Sequence, residues 1–530
     1  MLISFNFEVH QPHRLKKAVD INSNDIWNRY IDVELNKEVF NRVANKCYIP
    51  TNRIILELID EYDIKVAYSI TGVFLEQAME FNDEVLDLFK DLVKTGNVEL
   101  IGETYHHSLS SLFENHDEFK EDIVEHKKII KELFGYRTEV FRNTELIYHN
   151  KIAETVKKMG FKGIFTEGAD RILSWRSPNY LYKALCGLNV LLRNYKLSDD
   201  IGFRFSCPDW EEYPLTADKY ASWLANSPGD CINIYVDYET FGEHQWKETG
   251  IFEFLKHLPE EIEKYPNIEY AKPSEIIDRC IPKGDIDVFE FSTLSWADSE
   301  RDVSAWLGNR MQKLSFERLK GVRQYLGKYI SSKHEKHLNE SKSLTPNFQG
   351  KILEYIIYKN LQTSDNFYYQ CTKEFNDMDV HSYFSHFETP YDAYAAYMDV
   401  LYDFKNHLIL SQLLNKYIEK IESLNLEIKS LKERDMDNQN NHYQKEEELN
   451  YEVENLKNEL KSLKIELINK DKDIQKLKNE NSKLIKEIVM LNSKIPNKLK
   501  RKNHENLKDI DSKKKEKEIN HNLDEFIIGS

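Results

Sequence analysis

Seven short apolar runs recur between residue 1 and about residue 245: LISFNFEV, KVAYSIT, NVELIGE, EVFRNTEL, FKGIFTE, LNVLLRN and INIYVDY. Amphipathic stretches of helical period separate several of them, among them NRIILELIDEY, EVLDLFKDLVK and IVEHKKIIKELF. Strands that alternate with helices satisfy their backbone best as a parallel sheet with the helices laid over it. The class is therefore α/β, and seven runs suit a (β/α) barrel one strand short of the common eight. An open doubly wound sheet is the alternative that periodicity leaves standing. From about 250 to 420 the helical period takes over, in RDVSAWLGNRMQKLSFERLKGVRQYLGKY and PYDAYAAYMDVLYDFKNHLIL, with a polar loop expected over Ser332–Pro346. The expected organisation is a catalytic β/α barrel over 1–290 and a helical domain over 291–420.

The composition changes after about 420, becoming rich in Leu, Ile, Lys, Glu and Asn. One heptad row runs through Val453, Leu460, Leu467, Ile474, Asn481, Ile488 and Ile495. Its partner row is Leu449, Leu456, Leu463, Lys470, Leu477, Leu484 and Leu491. Such a stripe gains by pairing with another helix, so a coiled coil is expected over 421–496 and joins chains into a homo-oligomer. Asn481 at a core position favours a parallel pair, because its amide can bond its twin. Ile421, Leu424, Ile428 and Leu431 form an earlier seam in a different frame, so a break is expected near the polar stretch Glu433–Gln444. The last segment, 497–530, is charged and expected to be disordered.

Composition bears on partners and compartment. The net charge of the 530-residue chain is -17, which repels nucleic acid and anionic membrane surfaces and leaves neutral ligands open. The six Cys are scattered with no C-x-x-C, so free thiols in a reducing compartment are expected. The N-terminus MLISFNFEVHQPHR has no basic n-region followed by a long apolar core, and no run is apolar for long enough to span a bilayer. The expected location is cytoplasmic.

Ligands of β/α folds bind at the C-terminal ends of the strands. The first run ends Glu8-Val9-His10-Gln11-Pro12, and the third ends Gly102-Glu103-Thr104-Tyr105-His106-His107. The fourth ends Asn143-Thr144-Glu145, the fifth Thr166-Glu167-Gly168, and the seventh Asp237-Tyr238-Glu239. Any one of these reads equally as a cap, an ion pair or a solvated turn; five on one rim read as a site. Glu145 and Asp237, on different strands, are placed for glycoside hydrolysis, which needs one carboxylate at the sugar carbon and another to protonate the leaving oxygen. His10, His106, His107 and Asp237 also offer the ligand types of a metal-dependent deacetylase. The adjacent His106 and His107 would point to opposite faces of a strand, and the two-carboxylate reading is preferred.

Five stretches in order resemble glycoside hydrolase family 57: HQP at His10–Pro12, GNVELIGETYHHSL at Gly96–Leu109, FRNTELIY at Phe141–Tyr148, VDYETFGEHQW at Val236–Trp246, and LQTSDNFYYQ at Leu361–Gln370. The resemblance implies a seven-stranded β/α barrel with a helical domain that completes the substrate cleft. It implies retaining cleavage or transfer of α-1,4-glucan, with glycogen, starch or maltodextrin as substrate and no cofactor or catalytic metal. By it Glu145 is the nucleophile and Asp237 the acid/base. By it His10 matches a sugar-binding His and Asp365 a substrate-contacting Asp; His107 and His244 are expected to bind substrate as well and Glu8 and Glu239 to support them, Glu239 reading equally as a plain structural acid. DYETFGEHQW together with STLSWADSERDVSAWLGN at Ser292–Asn309 is similar to the intracellular α-amylase branch rather than to the 4-α-glucanotransferases. Two positions depart: Arg142 and His244 stand where some members carry Trp.

Overall fold

In a computed structural model the described residues are 1–23, 25–333, 352–373, 384–433, 445–463 and 465. All seven apolar runs become strands: β1 Leu2–Val9, β2 Val66–Ile70, β3 Val98–Ile101, β4 Val140–Arg142, β5 Gly163–Glu167, β7 Asn189–Arg193 and β8 Cys231–Asp237. Three short strands, β6 Tyr182–Ala184, β9 Glu269–Tyr270 and β10 Asp285–Ile286, join them. β1 lies between β2 and β8, both parallel to it; β2 pairs β3, β4 pairs β5, β5 pairs β7, and β7 meets β8 at Arg193 and Asn233, again all parallel. Between β3 and β4 the ladder is carried by a parallel bridge of Gly102 and Phe141, with Gly102 N–H donating to Val140 O and Arg142 N–H to Gly102 O, each at 2.8 Å. Successive pairings therefore return to β1. Among the described strands, β6 alone runs antiparallel to its neighbour, β7.

The two-residue period of a strand sorts the side chains. In β1, Ile3, Phe5, Phe7 and Val9 pack outward with helices, in a cluster that also takes Ile232, Ile234 and Val236 of β8. The alternate residues face inward. One cluster takes Leu2, Ala67, Ile101, Val140, Phe165, Leu191, Cys231 and Tyr235, at least one from each of the seven strands. Two-residue steps from these inward positions lead to Glu8, Glu103, Arg142, Glu167, Arg193 and Asp237, at or just beyond the C-terminal strand ends. The fold thus directs six charges to one end of the inner face. Buried polar groups below that rim are partnered: Asn6 Nδ2 donates to Ile234 O at 2.9 Å and the Ser69 hydroxyl bonds Tyr235 Oη at 2.8 Å.

The helical segment does not stand apart as 291–420. Residues Met1–Gln412 form one compact unit, and Phe316, Leu319, Val322, Ile357, Phe367, Val400 and Phe404 share a core with Phe119, Phe141, Ile152 and Ile164. The boundary expected near residue 420 falls inside a continuous helix, Pro390–Glu433; the second unit begins at Leu413. There Leu424 and Ile428 are buried against Leu449 and Val453 of the same chain. The ion pairs Lys420–Glu452 at 3.4 Å and Lys445–Glu427 at 3.0 Å show that the two helices run antiparallel. This corrects the expected parallel seam between chains for its first positions. The apolar stripe needs a neighbouring helix, and the chain's own helix supplies one. The later heptads, the tail over 497–530 and most of the expected Ser332–Pro346 loop lie outside the described residues. Among those described, no helix is long and apolar enough to cross a membrane.

Candidate active site

Glu145 lies just past β4, in the turn Thr144–Leu146, with φ of 57°; Leu146 follows at φ of 52°. Two successive left-handed residues without glycine cost about 1–3 kcal/mol each, and the surroundings hold them. Trp296 N–H donates to Glu145 O at 3.2 Å, and Leu146 is fully buried. The Glu145 carboxylate takes three side-chain hydrogen bonds. His107 Nε2–H and the Ser364 hydroxyl donate to Oε1 at 3.1 and 2.8 Å, and Trp296 Nε1–H donates to Oε2 at 2.8 Å. Burial opposes its ionisation, but His107, Arg142 and Trp296 together hold its pKa below the ordinary 4.5.

His107 follows β3 in a turn at φ of 50°. It is this turn, more than strand pleating, that separates the two neighbouring imidazoles. His106 turns away to Asp122, Nδ1 to Oδ1 at 2.6 Å, while His107 faces Glu8 at 3.2 Å, Glu103 at 3.7 Å and Glu145 at 3.1 Å. Burial lowers the pKa of His107, and these carboxylates more than reverse that, lifting it well above the usual imidazole range. Beneath it Arg142, fully buried, forks onto both oxygens of Glu8. Burial raises Glu8 well above the ordinary carboxylate range and the guanidinium draws it only part of the way back; with both oxygens receiving guanidinium N–H groups, the geometry is that of a bidentate ion pair.

Asp237 ends β8 directly beside Glu8 of β1. Its pKa is raised from 3.8 to about 6, by burial first and then by the charge of Glu145, with Arg142, Arg193 and His107 pulling the other way. Two carboxylates at one rim thus titrate apart, the property that separates a nucleophile from a proton donor. Glu239, two residues on, accepts the Tyr48 hydroxyl and is pushed up to about 8 by burial and by Asp237.

His10 stacks on His107 with ring centroids 4.1 Å apart. One of its ring nitrogens bonds the Thr71 hydroxyl at 2.9 Å and the other Asp365 at 3.1 Å. Burial holds His10 down at about 4, and Asp365 sits at about 2, burial being outweighed by His10. His244 stands against the Phe384 ring, centroids 5.1 Å apart, and burial lowers it to about 4. Ser364 and Asp365 reach the rim because Ser364 N–H donates to His107 O at 2.9 Å.

Sequence reasoning missed Trp296 and Ser364. Each lay inside a quoted stretch, STLSWAD and LQTSDNF, with no charge to draw attention. The deacetylase ligand set does not assemble: His10 is engaged by Asp365 and His106 by Asp122. Glu8, Glu103 and His107 do bring ligand atoms within 4.8 Å of one another. Arg142, bonded to Glu8 and 3.7 Å from Glu103, and the protonated His107 already balance those two carboxylates, so this donor set does not fit a metal ion.

The sequence profile of Glycosyl hydrolase family 57 matches residues 4–288. This chain belongs to that family. It is a glycoside hydrolase. A Methanocaldococcus jannaschii protein provisionally named an α-amylase is 65% identical to this family 57 enzyme over 408 residues, 77% of this chain and 85% of that one. A Pyrococcus horikoshii α-amylase is 25% identical over 300 residues, 54% of this chain and 44% of that one. In fold, the family 57 branching enzyme of Thermococcus kodakaraensis superposes with a TM-score of 0.53 at 12% identity, over 76% of this chain and 89% of that one. An exo-type maltose-forming amylase from Pyrococcus sp. ST04 gives 0.50 at 12%, over 80% and 84%.

Proposed function

We propose that this glycoside hydrolase is of the α-amylase type and cleaves α-1,4-glucosidic bonds of glycogen, starch or maltodextrin with retention, through a glycosyl ester of Glu145. The observation that carries the reading is the opposite titration of two carboxylates at one rim, Glu145 below 4.5 and Asp237 at about 6. At a pH between them Glu145 is ionised and attacks the anomeric carbon while Asp237 gives its proton to the leaving oxygen. Once the ester forms, Glu145 loses its charge, the acidity of Asp237 rises, and its carboxylate takes the proton of the incoming water. His10, His244 and Asp365 are assigned to sugar hydroxyls, with Glu8 and Glu239 supporting them; His107, expected from the sequence to bind substrate, has its two ring nitrogens on Glu145 and Glu8 and is assigned to holding the nucleophile. The ring of pairings and the inner cluster drawn from seven strands support a seven-stranded (β/α) barrel. The 65% identity to a protein provisionally named an α-amylase supports the substrate.

The test is a time course of maltodextrin digestion followed by proton NMR and by chromatography. Net release of reducing sugar, first seen as the α-anomer, is expected. First release of the β-anomer would exclude retention, and chain redistribution without net hydrolysis would replace hydrolase by 4-α-glucanotransferase.

A further inference from the structure

The two oxygens of Glu145 are held differently. Oε1 receives two donors, His107 Nε2–H at 3.1 Å and the Ser364 hydroxyl at 2.8 Å, which together use both lone-pair directions of a carboxylate oxygen. Among the described residues Oε2 receives one, the Trp296 indole N–H at 2.8 Å, which leaves it a lone pair. Trp296 is itself fixed from several sides. The guanidinium groups of Arg142 and Arg193 lie over its ring, 5.0 and 5.5 Å from the centroid, and Tyr235 stands edge-on to it at 6.2 Å. Arg301 donates to its carbonyl at 2.6 Å, and the same guanidinium bonds Asp199 at 2.7 Å and reaches Glu167 at 3.4 Å. Arg193 ties those two carboxylates together, at 2.6 Å to Asp199 and 2.9 Å to Glu167. A closed array of two guanidiniums and two carboxylates thus locks the loop that carries the indole.

The geometry points to Trp296 as a catalytic residue: Oε2 is the oxygen that bonds the sugar, and the indole N–H stabilises it as it leaves. The inference rests on Glu145 as nucleophile. In the first step Oε2 bonds the anomeric carbon as the bond to the leaving oxygen breaks, and the carboxylate gives up its charge. A donor on Oε2 therefore holds the starting carboxylate more tightly than the transition state. In the second step the bond from the anomeric carbon to Oε2 breaks as water attacks, and charge returns to Oε2. The same donor then favours the transition state over the ester. Ser364 and His107 grip Oε1, which stays an ester carbonyl oxygen and keeps accepting. Removing the indole N–H should therefore slow breakdown of the ester while leaving its formation unchanged or faster.

The test is pre-steady-state kinetics of the full chain with α-maltosyl fluoride, for Trp296→Phe and Ser364→Ala, with thermal melts as the check of folding. Loss of one hydrogen bond to a charged group amounts to on the order of tenfold or more in rate. For Trp296→Phe we expect a burst of fluoride near one equivalent, a steady rate down by about that factor, and recovery of the rate on adding azide. Ser364→Ala is expected to give no burst. Equal slowing of both steps in Trp296→Phe, or a burst in Ser364→Ala, overturns the assignment; the second arm decides even where the Phe variant does not fold. The ester that accumulates is digested and its peptides weighed. A sugar found on a residue other than Glu145 would instead overturn the reading on which this inference stands.

Discussion

Replacing Asp237 with Ala removes the proposed proton donor and leaves Glu145 and its three donors in place. General acid catalysis by a positioned side chain contributes about 10²–10⁴-fold, so turnover of maltodextrin, whose leaving sugar hydroxyl needs a proton, should fall by about that factor. α-Maltosyl fluoride needs little protonation, and formation of its ester should stay within about tenfold of the native rate. Water then lacks its base, and azide, which attacks without giving up a proton, should restore turnover with an α-glycosyl azide as product. The pH profile adds an independent readout. The move of Asp237 from 3.8 to about 6 corresponds to about 3 kcal/mol in favour of its protonated form. For the native enzyme kcat/KM requires Glu145 ionised and Asp237 protonated. It should fall as pH drops through the pKa of Glu145, below 4.5, and again as pH rises through about 6. In Asp237→Ala the alkaline limb should vanish and the acid limb remain. A limb that persists near pH 6 in the variant, or equal losses on the two substrates, would refute the reasoning.

Asp237→Asn should be more stable than the native chain at pH 7 by up to about 3 kcal/mol. A folded pKa above the unfolded value means that native stability is lost as pH rises from 3.8 through about 6, so the gain should disappear below that window; a gain independent of pH in urea titrations would contradict it. Arg142→Met leaves Glu8 and Glu103 buried without their guanidinium and should cost about 3–5 kcal/mol in urea unfolding, most of it regained on adding Glu8→Gln; a loss below about 1 kcal/mol would show the pair to be dispensable. Leu424→Ala, at a position 3% exposed between the two C-terminal helices, should weaken that hairpin by about 2–5 kcal/mol. Limited proteolysis should then cut within 445–463 while activity on soluble glucan stays within about twofold, and unchanged protection would mean that the hairpin is held by other contacts.

The rim was legible in the sequence for a definite reason. Parallel strands put their C-terminal ends on one side, so Glu8, Glu145 and Asp237 converge whatever the detailed packing. Glu239 was legible as a neighbour of Asp237, but its pKa of about 8 was not, because that comes first from burial, which only the closed fold supplies, with the Tyr48 hydroxyl, 191 residues away, pulling the other way. His106 and His107 were separated correctly and for a different reason, a left-handed turn where a pleated strand was assumed. The C-terminal seam shows the limit most plainly. An apolar stripe states that a helix needs a partner, and it is silent on whose helix that is; Leu449 and Val453 found Leu424 and Ile428 of their own chain.

Periodicity by itself determined the seven strands, the inward and outward faces of each, and the end at which charged residues gather, because the two-residue and 3.6-residue repeats are local properties of the backbone. The tertiary structure alone decided which uncharged groups grip the carboxylate. Trp296 and Ser364 stand 151 and 219 residues beyond Glu145 and belong to a loop and a short helix whose periods say nothing of the rim. They arrive because the charge array around Arg301 and the backbone bond from Ser364 to His107 set those segments against β3 and β4. Such contacts form only when the whole core closes, since each depends on the positions of several chain segments at once and on no repeat within any one of them.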